Sequence, residues 1–230
     1  MLYLFIIGFF IGIFIPAVAS RFGKIELIDP GNIILQMWHR RKKITSKQKK
    51  SSWYKYWKKK NRLFLFFSVV WGLTVGLLFV LAEVFIGSTT IFWTASFITS
   101  VCFLILIDKK HYILPDFFTI PLLLLGIASA YWGQLLPVSE SLVGAFYGYI
   151  ISVIAVLMLS FHREAEFGAG DVKMLTALGA WLGLMGLMNT ILLSFVFFFI
   201  SSLLNKRNWG AYGPSLGIAS LLILFNLYAR

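Results

Sequence analysis

The fold is decided by residues 168–204, which read GAGDVKMLTALGAWLGLMGLMNTILLSFVFFFISSLL. The last 31 of these residues, from Met174 to Leu204, carry no charge. Because about 20 apolar residues cross the hydrocarbon core of a bilayer, the stretch is long enough for two short membrane helices or for one long tilted helix. Gly183, Gly186 and Asn189 mark the expected break between two helices.

Comparable apolar stretches recur along the whole chain. Hydrophobic residues make up 59% of its 230 residues, charged residues only 13%, and the mean hydropathy is +0.84. A soluble domain usually carries about 25% charged residues. We therefore predict an all-α polytopic membrane protein with about eight transmembrane helices. The predicted spans are 2–19, 63–82, 91–107, 117–136, 141–161, 174–187, 188–204 and 212–229.

The basic residues are distributed unevenly between the two sides of these spans. Of the 21 Lys and Arg residues, 12 lie between Arg40 and Arg62, and alternating spans place 20 of the 21 on one side. By the positive-inside rule, the N-terminus lies outside and the basic segment lies in the cytoplasm. The expected organisation is a first transmembrane helix at 1–21, a basic cytoplasmic loop at 22–62 and a multi-helix membrane domain at 63–230. Because the positive charges follow the first span, we expect an uncleaved anchor.

The basic segment 39–62 alternates its lysines with Trp53, Tyr54, Tyr56 and Trp57. Beside a membrane span, this composition favours contact with the anionic lipid of the cytoplasmic leaflet. The segment shows no nucleic-acid recognition motif, so membrane lipid is an expected partner and nucleic acid is not. The single cysteine, Cys102, excludes an internal disulfide and a multi-cysteine zinc site.

Five of the nine acidic residues cluster at the cytoplasmic ends of predicted spans: Asp108, Asp116, Glu164, Glu166 and Asp171. A charge at a span end is ordinarily a loop residue in water, and we interpret Glu164 and Glu166 in this way. Asp108 follows seven uninterrupted apolar residues, so a helix extended by one turn would carry it below the membrane surface. Asp171 follows two glycines, which let the backbone turn sharply, and it starts a helix whose positive end favours a carboxylate.

Two carboxylates facing each other across helices provide the groups needed for hydrolysis. Like charges a few Å apart cannot both ionise easily, so Asp108 and Asp171 would share one proton. The ionised member accepts a proton from water as the water attacks an amide carbonyl, and the protonated member polarises that carbonyl. Proteolysis of this kind needs no metal and no cofactor. Lys173 is expected to snorkel to the interface with its stem along the lipid.

On these residues the chain resembles the type IV prepilin peptidase family. The resemblance rests on Asp108 with Leu114-Pro115-Asp116, on Gly168-Ala169-Gly170-Asp171-Val172-Lys173, on residues 178–183, and on Tyr212-Gly213-Pro214-Ser215. It implies a GxGD-type aspartic peptidase of the bacterial plasma membrane, with Asp108 and Asp171 as the catalytic pair and Gly168, Gly170, Lys173 and Asp116 in support. The family's substrates are prepilin-like and competence or secretion pseudopilin precursors, whose short basic leader is removed on the cytoplasmic side.

Many members of this family also methylate the new N-terminus with S-adenosylmethionine, and they carry paired Cys-x-x-Cys motifs in the first cytoplasmic loop. The corresponding loop of this chain has no cysteine. We therefore expect methylation to be lost, altered or independent of zinc, and S-adenosylmethionine to be a cofactor only where methyl transfer is retained.

Two other functions fit part of the pattern. Presenilin-like intramembrane peptidases also use a G-x-G-D aspartate, but they pair it with Tyr-Asp and a later Pro-Ala-Leu, whereas here Ile107 precedes Asp108 and the late motif begins Gly213-Pro214. A proton- or cation-coupled transporter would hold its acids near the bilayer midplane. The sequence places both aspartates at one edge, which favours the prepilin-type peptidase.

Overall fold

The computed structural model describes residues 1–22, 52–160, 168–205 and 211–228. Within these ranges the chain is helical and contains no β-strand, so the predicted all-α fold class is confirmed. The helices are α1 (Leu2–Phe22), α2 (Ser52–Phe85), α3 (Ile91–His111), α4 (Asp116–Tyr131), α5 (Val138–Ser160), α6 (Ala169–Asn205) and α7 (Gly213–Tyr228). A short 3-10 turn, Ser88–Thr90, leads into α3.

Five helical segments in the described part of the chain are long and apolar enough to cross a membrane: Leu2–Ser20, Leu63–Phe85, Ser88–His111, Val138–Met158 and Ala169–Leu204. Helices α4 and α7 are also apolar but have only 16 residues each. The chain is therefore a multi-pass membrane protein. Helix α4 ends at Tyr131, before the predicted limit of residue 136, and Gly133 just beyond it has a positive φ of 63°.

The predicted basic loop at 22–62 is only partly described. Helix α2 begins at Ser52, which lies within the predicted loop. The last residues of that loop, 52–62, are therefore the first residues of the membrane helix. Residues 23–51 lie outside the described residues, and so do Glu164 and Glu166.

Glycines bring α1 and α2 together as an antiparallel pair. A Cβ on Gly8 would lie 2.9 Å from the Gly76 Cα, and one on Gly12 would lie 2.7 Å from the Gly72 Cα. Both helices thus present a Gly-x-x-x-Gly face, which lets helix backbones approach closely in lipid, where burial of apolar surface from water gives no driving force. No prediction from the sequence rested on these glycine spacings.

Close packing of glycines also joins α5 to the first half of α6. Gly144 and Gly148 are four residues apart, and a Cβ on Gly148 would lie 2.6 Å from the Leu175 carbonyl oxygen. Gly144 and Gly179 pack directly on each other, so neither position has room for a side chain. This close packing fixes the first half of α6, which carries Asp171, against α5.

Helix α6 is interrupted at Gly183, whose φ of 66° and ψ of −177° are accessible essentially only to glycine. The Tyr212 side chain shows how the two halves lie. Its hydroxyl hydrogen-bonds to Ser194 in the second half, and the next residue, Gly213, donates its N–H to Asp108 at the end of α3. The first half starts near the same place, because a Cβ on Gly170 would lie 2.7 Å from the Leu114 Cβ, just beyond α3. In a straight helix Asp171 and Ser194 would be about 35 Å apart. The second half therefore folds back, and the break lies at the first of the three predicted positions.

Trp181 lies at the centre of the buried core. Its side chain is fully buried, and its indole N–H donates to the Leu122 carbonyl of α4 at 2.7 Å. Its own carbonyl accepts a hydrogen bond from the Tyr228 hydroxyl of α7 at 2.8 Å. Trp181 thus joins α4, α6 and α7 away from the aspartates.

The two ends of the bundle differ in charge. At one end the Met1 amine lies 2.9 Å from a Glu83 carboxylate oxygen, and Glu140 lies beside Gly183. At the other end, called the aspartate end here, His111 Nε2 lies 2.9 Å from the Ala19 carbonyl oxygen and so joins the ends of α3 and α1. The three lysines whose side chains the structure describes, at positions 109, 110 and 173, all belong to the aspartate end.

Candidate active site

Asp108 lies in the last turn of α3, because the helix continues past the apolar run to His111. Its side chain is only 6% exposed, so it is not an ordinary loop residue in water. The Gly213 N–H, at the start of α7, donates to the Asp108 Oδ2 at 3.0 Å. This bond between residues far apart in sequence fixes one oxygen of the carboxylate and leaves the other available.

Asp171 lies in the first turn of α6, where the helix dipole favours a negative charge. Its backbone N–H donates to the Gly168 carbonyl at 2.9 Å, which closes the turn that starts the helix. A Cβ built on Gly168 would lie 3.6 Å from Asp171 Oδ2, so this carboxylate lies beside the Gly168 backbone. Each aspartate therefore lies beside a glycine, and Asp108 is hydrogen-bonded to its glycine amide.

The structure brings the two aspartates to the same end of the bundle. Their carboxyl groups lie within electrostatic range of each other. Two carboxyl groups within electrostatic range of each other, in a site of low polarity, oppose each other's ionisation. Such a pair can activate a water molecule and protonate a leaving group in the same reaction.

The two glycines of the G-x-G-D segment have different environments. A Cβ on Gly170 would lie 2.7 Å from the Leu114 Cβ, so the absence of a side chain lets α6 start directly against the connection between α3 and α4. Among the described residues, the atom nearest to a Cβ on Gly168 would be Asp171 Oδ2 at 3.6 Å, which is ordinary van der Waals contact. The described neighbours therefore leave no room for a side chain at position 170 but do not exclude one at position 168.

Lys173 and Asp116 pair with each other. The Lys173 Nζ lies 2.5 Å from Asp116 Oδ1, which joins the start of α6 to the start of α4. Both side chains are about half exposed, at 46% and 55%. Lys173 was expected to snorkel along lipid and Asp116 was assigned only a supporting role, so the sequence did not reveal this ion pair.

Tyr212 and Ser194 are further parts of the site. Tyr212 immediately precedes the glycine that binds Asp108, and its hydroxyl is bonded to Ser194. The motif Tyr212-Gly213-Pro214-Ser215 identified this segment without assigning a role, and nothing in the sequence pointed to Ser194.

Among the residues that the structure describes, no three His, Cys, Asp or Glu side chains are grouped closely enough to hold a metal ion. His111 belongs to the contact between α1 and α3, and Cys102 is buried within α3.

Comparisons with known proteins give the same family as the sequence motifs. Residues 95–203 match the type IV leader peptidase family. The prepilin leader peptidase/N-methyltransferase of Xanthomonas campestris pv. campestris is 38% identical over 97 residues, which are 40% of this chain and 34% of that protein. The protein of the same name from Pseudomonas aeruginosa is 37% identical over 128 residues, 52% of this chain and 44% of that protein. A third, from Klebsiella pneumoniae, is 42% identical over 90 residues, 38% and 39% of the two chains.

The chain spans less than half the length of these curated relatives. No solved structure matches it significantly. The matched stretch contains Asp108, Asp171 and both glycines before Asp171, whereas Tyr212 and Gly213 lie beyond it. The resemblance seen in the sequence is confirmed: residues 95–203, which contain both aspartates, match the type IV leader peptidase family.

Proposed function

We propose that this protein is a membrane aspartic endopeptidase that removes the short basic leader of prepilin-like or competence pseudopilin precursors. Asp108 and Asp171 are the catalytic residues. The single observation that carries the proposal is that the fold places these two acids, 63 positions apart in the sequence, at the same end of the bundle: Asp108 ends α3, and Asp171 starts α6 where Gly170 packs on the connection that follows α3. The match of residues 95–203 to the type IV leader peptidase family supports it.

The proposed reaction follows the geometry of the pair. One oxygen of Asp108 is bonded to the Gly213 amide, so its other oxygen and the Asp171 carboxyl are proposed to hold one proton and a water molecule between them. The ionised carboxylate takes a proton from the water as the water attacks the scissile carbonyl, while the protonated carboxyl polarises that carbonyl. The proton then passes to the departing amine, and the pair returns to its starting state.

We propose that cleavage takes place at the cytoplasmic face of the bacterial plasma membrane, with the N-terminus outside. The described lysines at the aspartate end and the glutamates Glu83 and Glu140 at the opposite end support this orientation. The position of both acids in terminal helical turns, away from the bilayer midplane, supports a peptidase over a transporter.

Proteolysis by this pair requires no cofactor in our proposal, because the two carboxyls act as proton acceptor and donor. S-adenosylmethionine would enter only where the new N-terminus is also methylated, and we assign no residue to that step. The proposed partners are the precursor proteins and membrane lipid.

The test is cleavage of a tagged prepilin-like precursor in a bacterium that lacks its own prepilin peptidase. The parent protein should convert the precursor, as read by gel mobility and N-terminal sequencing of the product. Asp108→Ala and Asp171→Ala should each abolish conversion while the protein still inserts in the membrane. Asp→Asn at either position should also be inactive, because an amide cannot relay the proton.

Glu140→Gln is the matched control, because it removes a carboxylate at the opposite end of the bundle. This variant should cleave as the parent does. Measurable cleavage by either alanine variant would refute the assignment of Asp108 and Asp171 as the catalytic pair.

A further inference from the structure

The segment after α6 connects both aspartates to one tyrosine. Tyr212 interacts with Ser194 through its hydroxyl, and the next residue, Gly213, donates its N–H to Asp108. The same Tyr212 lies within electrostatic range of Asp171. Tyr212 and Gly213 therefore join Ser194, on the second half of α6, to Asp108.

Counting the hydroxyl hydrogens decides what Tyr212 can do. Ser194 carries one hydroxyl hydrogen, and it donates that hydrogen to the Ile191 carbonyl at 2.7 Å. The hydrogen between the two hydroxyls must then come from Tyr212, which donates to the Ser194 oxygen. With its only hydrogen engaged, Tyr212 is not available as a proton donor to Asp171 or to a substrate.

The ring of Tyr212 is held as well as its hydroxyl. The rings of Phe195 and Phe198, on the same half of α6 as Ser194, lie with their centroids 5.8 Å and 5.7 Å from the Tyr212 ring, within the range of aromatic pairs. A residue fixed at its ring and at its hydroxyl leaves the following backbone amide little freedom.

We propose that Tyr212 and Ser194 form a positioning pair that holds the Gly213 amide against Asp108, so that the second half of α6 sets the geometry of the catalytic carboxyls. Asp171 is carried by the first half of α6, and Asp108 is oriented through residues bonded to the second half. The angle at Gly183, where the two halves meet, then determines how the two acids face each other.

The kinetic test is a double-mutant cycle on precursor cleavage in detergent micelles, and this part rests on the proposed function. Tyr212→Phe and Ser194→Ala remove the same hydrogen bond from its two ends, so each should lower kcat about tenfold, the size expected for one hydrogen bond lost in a partly buried site. KM should change less than about twofold, because neither residue is proposed to touch the substrate. The double variant should be no worse than either single variant, since coupled residues are not additive.

Tyr228→Phe is the matched control. It removes a tyrosine hydroxyl from the opposite end of α7, where that hydroxyl donates to the Trp181 carbonyl. This variant should keep the parent's kcat even if it lowers the melting temperature. The proposal would be overturned if Tyr228→Phe lost as much kcat as Tyr212→Phe. It would also be overturned if the losses in Tyr212→Phe and Ser194→Ala multiplied in the double variant, because the two residues would then act independently.

A second measurement needs no substrate. Labelling with [13C′]tyrosine and [15N]glycine selects only the two Tyr-Gly pairs of the chain, 147–148 and 212–213. In an NMR spectrum of the detergent-solubilised protein, Asp108→Asn should move the Gly213 amide resonance, and Ser194→Ala, which leaves the labelled Tyr212 in place, should move it and speed its hydrogen exchange. The Gly148 resonance serves as the internal reference.

The two measurements separate the possible failures. If the parent protein cleaves no prepilin-like precursor but its Gly213 resonance responds as expected, the proposed function is refuted and the positioning pair is still supported. A Gly213 resonance that is unmoved in Ser194→Ala would overturn the positioning pair, whatever the protein cleaves.

Discussion

Replacement of Gly213 by alanine tests the geometry of the site most directly. A Cβ at this position would lie 2.6 Å from the Asp108 Oδ2, 2.9 Å from its Cγ and 3.1 Å from its Cβ, whereas ordinary contact begins at 3.4 Å. The carboxyl group must therefore retreat by about 0.8 Å, and the 3.0 Å hydrogen bond from the Gly213 amide must lengthen or turn. Because a misplacement of about 1 Å in a catalytic group can cost about a hundredfold in rate, we expect kcat to fall by about that factor.

The assay is cleavage of a prepilin-like precursor in micelles, with the rate divided by the amount of folded protein. Gly126→Ala is the matched control, because its Cβ would come as close to Trp181, at 2.8 Å, but inside the core and away from the aspartates. We expect this control to lower the melting temperature and to keep the rate per folded molecule. If Gly213→Ala retains more than about a tenth of the parent's rate, Asp108 does not depend on this close approach and the reasoning is wrong.

Three further predictions concern the surroundings of the pair. Gly170→Ala should reduce cleavage much more than Gly168→Ala, because only the first of these methyl groups would collide with Leu114; equal activities would contradict this. Lys173→Ala should cost less than about 1 kcal/mol of stability, since exposed ion pairs contribute little. If Lys173→Asp alone lowers the melting temperature, the double variant with Asp116→Lys should restore it, because the ion pair is then re-formed with its charges exchanged. Gly183→Ala should lower the melting temperature and the rate together, because alanine rarely adopts a φ of 66°; an unchanged protein would show that α6 does not depend on this break.

Much of the architecture could be predicted from composition along the chain. A bilayer requires long apolar segments whose backbone groups bond within the segment, so the helices and their approximate limits follow from hydropathy. The motifs around Asp108 and Asp171 likewise indicated the family that the comparison of residues 95–203 supports. The extension of α3 past Asp108 was also expected, because a helix one turn longer than the apolar run buries that carboxyl.

The contacts between helices could not be predicted in the same way. In lipid every face of a membrane helix is apolar, so hydrophobicity does not indicate which face meets which neighbour. The pairing of Gly8 and Gly12 with α2 therefore appears only in the folded chain. The ion pair of Lys173 with Asp116 appears only there for a related reason, because two charges at different span ends are brought together by packing alone.

The sequence by itself determined that the chain crosses the membrane repeatedly and that two aspartates stand at span ends on one side. Only the tertiary structure decided that Gly213 orients Asp108, that α6 turns back at Gly183, and that Ser194 reaches the site through Tyr212. The physical reason is the separation along the chain of the residues that determine each property. Membrane insertion depends on properties that add up locally along the chain, whereas the position of a carboxyl group depends on backbone atoms that are more than a hundred residues away, as Gly213 is from Asp108.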